Sequence, residues 1–159
     1  MEIKEGFYYH IKENFFVLAN DVNLQVNKDN DKYRPHYFAL RDEDNENIFW
    51  MVPVSSQVAK YSAIQEKIMK RYGKCTTIVL GRCADKPAAF LIQNAFPTIA
   101  KYFDHIHSIG DTPVVLHSGT AKVVKKYLEN NLRMHEHGVN LFFADIDKIY
   151  ELMLAEIGK

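Results

Sequence analysis

At 159 residues the chain has the length of a single domain and can bury roughly 70% of the surface its unfolded form would expose, so its core needs no staple. A hydrophobic share of 47% with 25% charged residues excludes a disordered chain. Lysine plus arginine and aspartate plus glutamate number 20 each, which removes the overall positive excess typical of a DNA-binding protein and leaves only local patches to argue from.

The amino terminus, "MEIKEGFYYH", mixes charges and lacks an apolar core, so it reads as neither a signal nor a transit peptide, and "GFYYHI" reads as a strand. "KENFFVLAN" follows as a short helix ending near Asn20. Residues 20–35, "NDVNLQVNKDNDKYRP", are dense in asparagine and aspartate and read as a loop. Two strands, 36–41 and 47–54, then form a hairpin around the acidic turn "DEDNEN", which is expected to be solvent-exposed and without a role. Residues 57–72 form a helix with Ala59, Ile64, Ile68 and Tyr72 inward, N-capped by Ser55 or Ser56 and ended by Gly73.

"CTTIVLGR" and "PAAFLIQ" are strands on either side of "CADK", and a further β run, "HIHSI" with "TPVVLH", follows "NAFPTIAKYFD". Ser118 or Thr120 opens a long helix with Val124, Leu128 and Leu132 on one face and Gly138 at its end, and a last helix covers about 144–157. The pattern predicts one α+β domain, residues 1–159, around a strongly bent antiparallel sheet of six or seven strands. The only two cysteines, Cys75 and Cys83, have no second pair to complete a zinc site or disulfide framework, which favours a reduced, cytoplasmic protein. No apolar run approaches the roughly 20 residues of a membrane span.

Seven histidines raise the question of a metal, since His105 with His107 and His135 with His137 share i, i+2 spacing, but that spacing alone is weak and the second pair suits a helix carboxyl end; no metal or cofactor is expected. "YRPHYF" and "PVSSQVAK" carry a more specific pattern. Antiparallel strands place the start of one beside the end of the other, so His36 can meet Ser55 and Ser56. Hydroxyls at a helix amino terminus, with Lys60 a turn further on, form an anion site.

Histidine, hydroxyls and lysine around an anion, without metal ligands, suit RNA cleavage by the RNA's own 2′-hydroxyl, with His36 as base and Lys60 stabilising the phosphorane charge. Lys60, Lys67, Lys70, Arg71 and Lys74 are opposed only by Glu66, and Lys122, Lys125, Lys126 and Arg133 by Glu129 and Glu136, so two basic helices are available to RNA phosphates. Tyr33 and Arg34 join these candidates by proximity to His36.

At "YRPHYF", "IFWMVPVSSQVAKY", "KCTTIVL" and "AFLIQNAFPTI", in order over roughly residues 7–117, the sequence resembles the toxins of bacterial type III toxin–antitoxin systems, the ToxN-like endoribonucleases, and among them the CptN branch. The resemblance implies a compact fold like the SH3-like barrel of the Kid and MazF toxins with added helices. It also implies a phage-defence toxin whose antitoxin is a repeat-derived pseudoknot RNA, cut from a precursor and held in a closed protein–RNA assembly that blocks the site. The family's hydroxyl pair falls on Ser55 and Ser56, its following lysine on Lys60, and His36 stands where ToxN proper has a lysine. The expected activity is therefore a metal-independent endoribonuclease acting on cellular RNA, with no membrane or DNA partner. A non-catalytic RNA-binding domain is the alternative, and small-molecule phosphotransfer is disfavoured because no glycine-rich phosphate loop is present.

Overall fold

The computed structural model describes residues 1–29 and 31–159, and for Asp29 the backbone alone. In chain order the elements are β1 (Tyr8–Ile11), α1 (Glu13–Ala19), β2 (Lys28–Asp29), β3 (Lys32–Tyr33), β4 (His36–Arg41), β5 (Phe49–Ser55), α2 (Val58–Tyr72), β6 (Ile78–Cys83), β7 (Lys86–Leu91), β8 (Phe96–Thr98), β9 (Phe103–Ile106), β10 (Ser108–Ile109), β11 (Thr112–Pro113), α3 (Ser118–Glu136) and α4 (Ile146–Glu156). Seven strands form one antiparallel sheet in the order β6-β7-β5-β4-β1-β9, with β8 also on β5.

The bend of this sheet follows from β5. One edge of β5 pairs with β4 throughout, whereas the other is shared, β8 taking Phe49 to Met51 and β7 taking Val54 and Ser55. A 3-10 turn at Ile92–Asn94 carries the chain from β7 to β8, so the sheet must turn between them. The expected α+β class with a bent antiparallel sheet holds. The sheet is open, not a closed barrel, since the edge strands β6 and β9 do not pair.

Side chains alternate across the strands and sort the core by face. Tyr8, Tyr37, Trp50, Val52, Val54 and Phe90 pack against Val124 and Leu128 of α3. Tyr9, Phe38, Phe49, Met51 and Phe96 pack against Phe15 of α1 and Ile149 and Met153 of α4. The close approach of α3 to the sheet requires Gly81, where a Cβ would lie 3.1 Å from Thr120 Cγ2 and 3.2 Å from the Phe90 ring. Helix α2 covers β6 and β7 with Tyr61, Ile64 and Ile68.

Several local expectations change. Ala59 and Tyr72, expected inward, are both exposed: Tyr61, Ile64 and Ile68 form the inward face, Ala59 falls off that repeat, and Tyr72 lies on the last turn beyond the strands that α2 covers. The α3 cap is His117, whose Nδ1 accepts from Gly119 N at 3.2 Å, in place of Ser118 or Thr120. Asp42, in the acidic turn, accepts from Trp50 Nε1 at 2.9 Å and Tyr150 Oη at 2.6 Å, so that turn anchors α4 to the sheet. Gly73 and Gly138 do end their helices, with φ of 81° and 88°.

Candidate active site

Strand register brings the two quoted motifs together. His36 pairs with Pro53, so its ring lies on the same face as Pro53 and, two residues on, Ser55. The two are diagonal neighbours across β4 and β5, a placement that spans roughly 7–8 Å. Alternation also puts this face opposite the one that α3 covers, between α1 on one side and α2 on the other.

Ser56 and Lys60 stand at the start of α2 as expected, whereas Ser55, His36 and Arg34 do not sit as expected. β5 runs through Ser55, which is 1% exposed and belongs to the strand, and its Oγ accepts from Gln57 N at 3.1 Å in a local serine turn. The α2 cap is Gln57, with no side-chain capping bond, so neither serine caps the helix. Ser56 is exposed at the helix's positive end, and Lys60 is exposed one turn along, its Nζ 5.2 Å from the Tyr61 ring centroid.

His36 is wholly enclosed, at 0% exposed, with the rings of Phe16 and Phe96 at 5.8 and 5.4 Å. Neither ring nitrogen makes a hydrogen bond of good geometry among the described residues, though the backbone of Arg34 lies close enough to favour the protonated ring slightly. Burial, then the neighbouring positive charge of Arg34, pushes its pKa down to about 3, so the imidazole is neutral at physiological pH. A neutral imidazole is the form a general base requires, but this ring is enclosed by side chains and does not face solvent beside the anion site.

Arg34, expected to meet RNA, is 1% exposed. Its Nε donates to Val26 O at 2.9 Å and its Nη1 to Val54 O at 2.8 Å. A guanidinium held this way cannot reach a phosphate at the surface, and it instead ties Val26 to the end of β5. The reading of 20–35 as a loop missed this segment's role. Its hairpin, β2 with β3, presents the exposed Tyr33 under Lys28 Nζ at 5.2 Å. Gln25 Nε2 donates to Tyr61 Oη at 3.2 Å, and Asn27 Nδ2 to Ile11 O at 3.2 Å and Glu13 Oε2 at 2.9 Å. The segment is thus tied to α2, β1, α1 and β5 around the site. No sequence signal distinguishes these amides from ordinary loop asparagines and glutamines.

The two basic helices fare unequally. Lys67, Lys70, Arg71 and Lys74 are exposed, and α2 carries or adjoins them all on the site's side. Lys122, Lys125 and Lys126 are also exposed but lie on α3, across the sheet from His36 and Ser55, and Lys125 pairs with Glu5 at 3.3 Å. Arg133, nearer the α3 carboxyl end, bonds Asn130 Oδ1. Of the histidine pairs, His105 and His107 meet His10: the rings of His10 and His105 stack at 4.4 Å, and His10 Nε2 lies 2.8 Å from His107 Nδ1. Among the described residues no group of three or more His, Cys, Asp or Glu side chains is arranged to hold a metal ion. Nor is any helix of the described residues long and apolar enough to cross a membrane.

No family model matches the sequence, and no curated protein matches it. The fold, however, is similar to that of AbiQ, a lactococcal anti-phage endoribonuclease belonging to the type III toxin–antitoxin system. The superposition has a TM-score of 0.63 and covers 96% of this chain and 98% of that one, at 11% identity. Two chains this different in sequence therefore share one α+β architecture from end to end.

Proposed function

We propose that the protein is a metal-independent endoribonuclease toxin of a type III toxin–antitoxin system, acting in the cytoplasm on cellular RNA and held in check by its own repeat-derived pseudoknot RNA. The observation that carries this reading is His36: a wholly buried, neutral imidazole diagonal to Ser55 at the end of β5, with Ser56 and Lys60 following at the start of α2. The end-to-end likeness to the AbiQ fold supports the same reading.

In the reaction, incoming RNA uncovers the His36 ring, which takes the proton from a ribose 2′-hydroxyl. The 2′-oxygen then bonds to the adjacent phosphorus and the bond to the 5′-oxygen breaks, leaving a 2′,3′-cyclic phosphate and, once the leaving oxygen gains a proton, a 5′-hydroxyl. Ser55 and Ser56 orient the phosphate, the second from the surface and the first from behind it. Lys60 offsets the charge that develops on the non-bridging oxygens. The phosphate's own negative charge raises the basicity of His36 as it arrives, opposing the effect of Arg34. Arg34 acts as a positioning residue.

The test is mass spectrometry of RNA ends after incubation in excess EDTA. Cyclic phosphate and 5′-hydroxyl ends are expected. Ends carrying 3′-hydroxyl and 5′-phosphate, or activity that returns only with added Mg²⁺ or Zn²⁺, would reject the mechanism. RNA bound but left intact after long incubation would favour a binding domain.

A further inference from the structure

Helices α2 and α3 lie on opposite faces of the sheet, yet their carboxyl ends meet beyond it, where Asn131 Nδ2 donates to Thr76 O at 3.0 Å. Between them runs a groove of about 1090 Å³. Ile64, Ile68 and Tyr72 form one wall, Met134 and His137 the other, and Val139 to Phe143 close it. Two aromatic side chains there are left in water: Tyr72 is 65% exposed and Phe143 57%. The Arg71 guanidinium lies 5.3 Å from the Tyr72 ring centroid.

Charge selects the occupant. Among the described residues no acid lines the groove, while Lys74 and Arg133 do. On α2, Lys60, Lys67 and Arg71 recur at i, i+7 and i+11, one stripe beside Ile64 and Ile68 that leads from Ser56 toward the groove. That path is about 24 Å long at 1.5 Å per residue, enough for several nucleotides. An apolar peptide would leave these cations unmatched. Exposed aromatics, an apolar floor, amide and hydroxyl groups from Thr76, Thr77 and Asn140, and a cationic track are together the chemistry that takes unpaired bases and their phosphates.

We propose that this groove is a binding site for single-stranded RNA, in which bases stack on Tyr72 and Phe143 while the backbone follows Lys74, Arg71, Lys67 and Lys60 to the cleavage site. It rests on the reading of the protein as a ribonuclease and adds where the strand flanking the cut is held. The probe is a fluorescent 2′-O-methyl RNA of about 12 nucleotides and mixed sequence, within the usual span of such sites. It cannot be cut by 2′-hydroxyl attack, so its binding is read whether or not the protein is a nuclease.

Tyr72→Ala and Phe143→Ala should each weaken binding by about 5- to 150-fold, and Tyr72→Trp should restore it. The dependence on log salt should stay unchanged, because no charge is removed. Both side chains are more than half exposed, so melting temperatures should not move. Probe affinity within about twofold of the wild type in both variants would overturn the proposal. So would a wild type that does not bind the probe at low salt, or a double variant that keeps its affinity while sedimentation shifts from dimer to monomer, which would make the groove a contact between copies. Loss of binding in these variants with no cleavage of any RNA would leave the groove standing and remove the nuclease reading instead.

Discussion

His36→Phe separates a histidine kept for chemistry from one kept for packing. The ring sits between Phe16 and Phe96, so phenylalanine fills the same space with a third aromatic and removes two buried ring nitrogens. Its stability at pH 7 should equal or exceed that of the wild type. At lower pH the two diverge. Unfolded, His36 binds a proton below about 6.5, whereas folded it does so only below about 3, so acidification favours the unfolded chain and stability is lost as pH falls from 6.5 toward 3. Integrated from pH 7 to 5, the loss is about 2 kcal/mol. His10 and His107, also lowered by burial, stay in both proteins and cancel in the comparison. Urea denaturation at pH 5, 6 and 7 should therefore show a wild-type loss about 2 kcal/mol larger than that of the variant. Cleavage should fall by roughly 10²- to 10⁴-fold, since the base is gone. Equal pH dependence in the two proteins would refute the buried neutral ring. Cleavage within about tenfold of the wild type would move the base elsewhere.

Ser56→Ala should abolish cell toxicity while keeping the antitoxin RNA complex, because one hydroxyl is worth about 0.5–1.5 kcal/mol against many lysine and arginine contacts; growth assays and gel shifts check both halves. Neutralising Lys67, Lys70 and Arg71 together should flatten the salt dependence of RNA binding by up to about 2 units of log K per log salt, read by salt-titrated anisotropy. Asp42→Ala strands the buried Trp50 and half-buried Tyr150 donors and should cost about 2–3 kcal/mol, lowering Tm by roughly 4–12 °C in a thermal melt with little change in cleavage at 25 °C.

Local periodicity made most elements legible. The hairpin of β4 and β5, the α2 span with its left-handed Gly73, and the inward faces of α3 and α4 all follow from spacings of two or of three and four residues. Antiparallel pairing of the two motifs likewise implies His36 near Ser55, and the register has them as diagonal neighbours. Burial was not legible, because it depends on what crosses over a residue rather than on its neighbours in sequence. Arg34 looks like a surface cation beside a proline, and becomes an interior clamp only when Val26 and Val54 offer it carbonyls. Asp42 reads as one more acid in an acidic turn until Tyr150 arrives from 108 residues away. Residues 20–35 failed for the same reason, since their anchors lie on four other elements.

The balanced charge of the chain conceals two opposed surfaces that share one side chain. On one side of α3 a cavity of about 230 Å³ is lined by Asp42, Glu43, Asp44, Glu129, Glu136 and Asp147, with Arg133 as the cation beside them. On the other side the groove toward α2 has Arg133 and Lys74 and, among the described residues, no acid. A polyanion approaching such a molecule is turned away from the acidic face and drawn to the α2 face, where Ser56 and Lys60 wait at the far end of the same helix. Neutrality overall limits long-range attraction to arbitrary nucleic acid, so on the proposed reading affinity would depend on the groove and the site being engaged at once. For the proposed toxin, that division explains how a protein with no net charge could release cut RNA yet stay bound to a folded RNA able to span both.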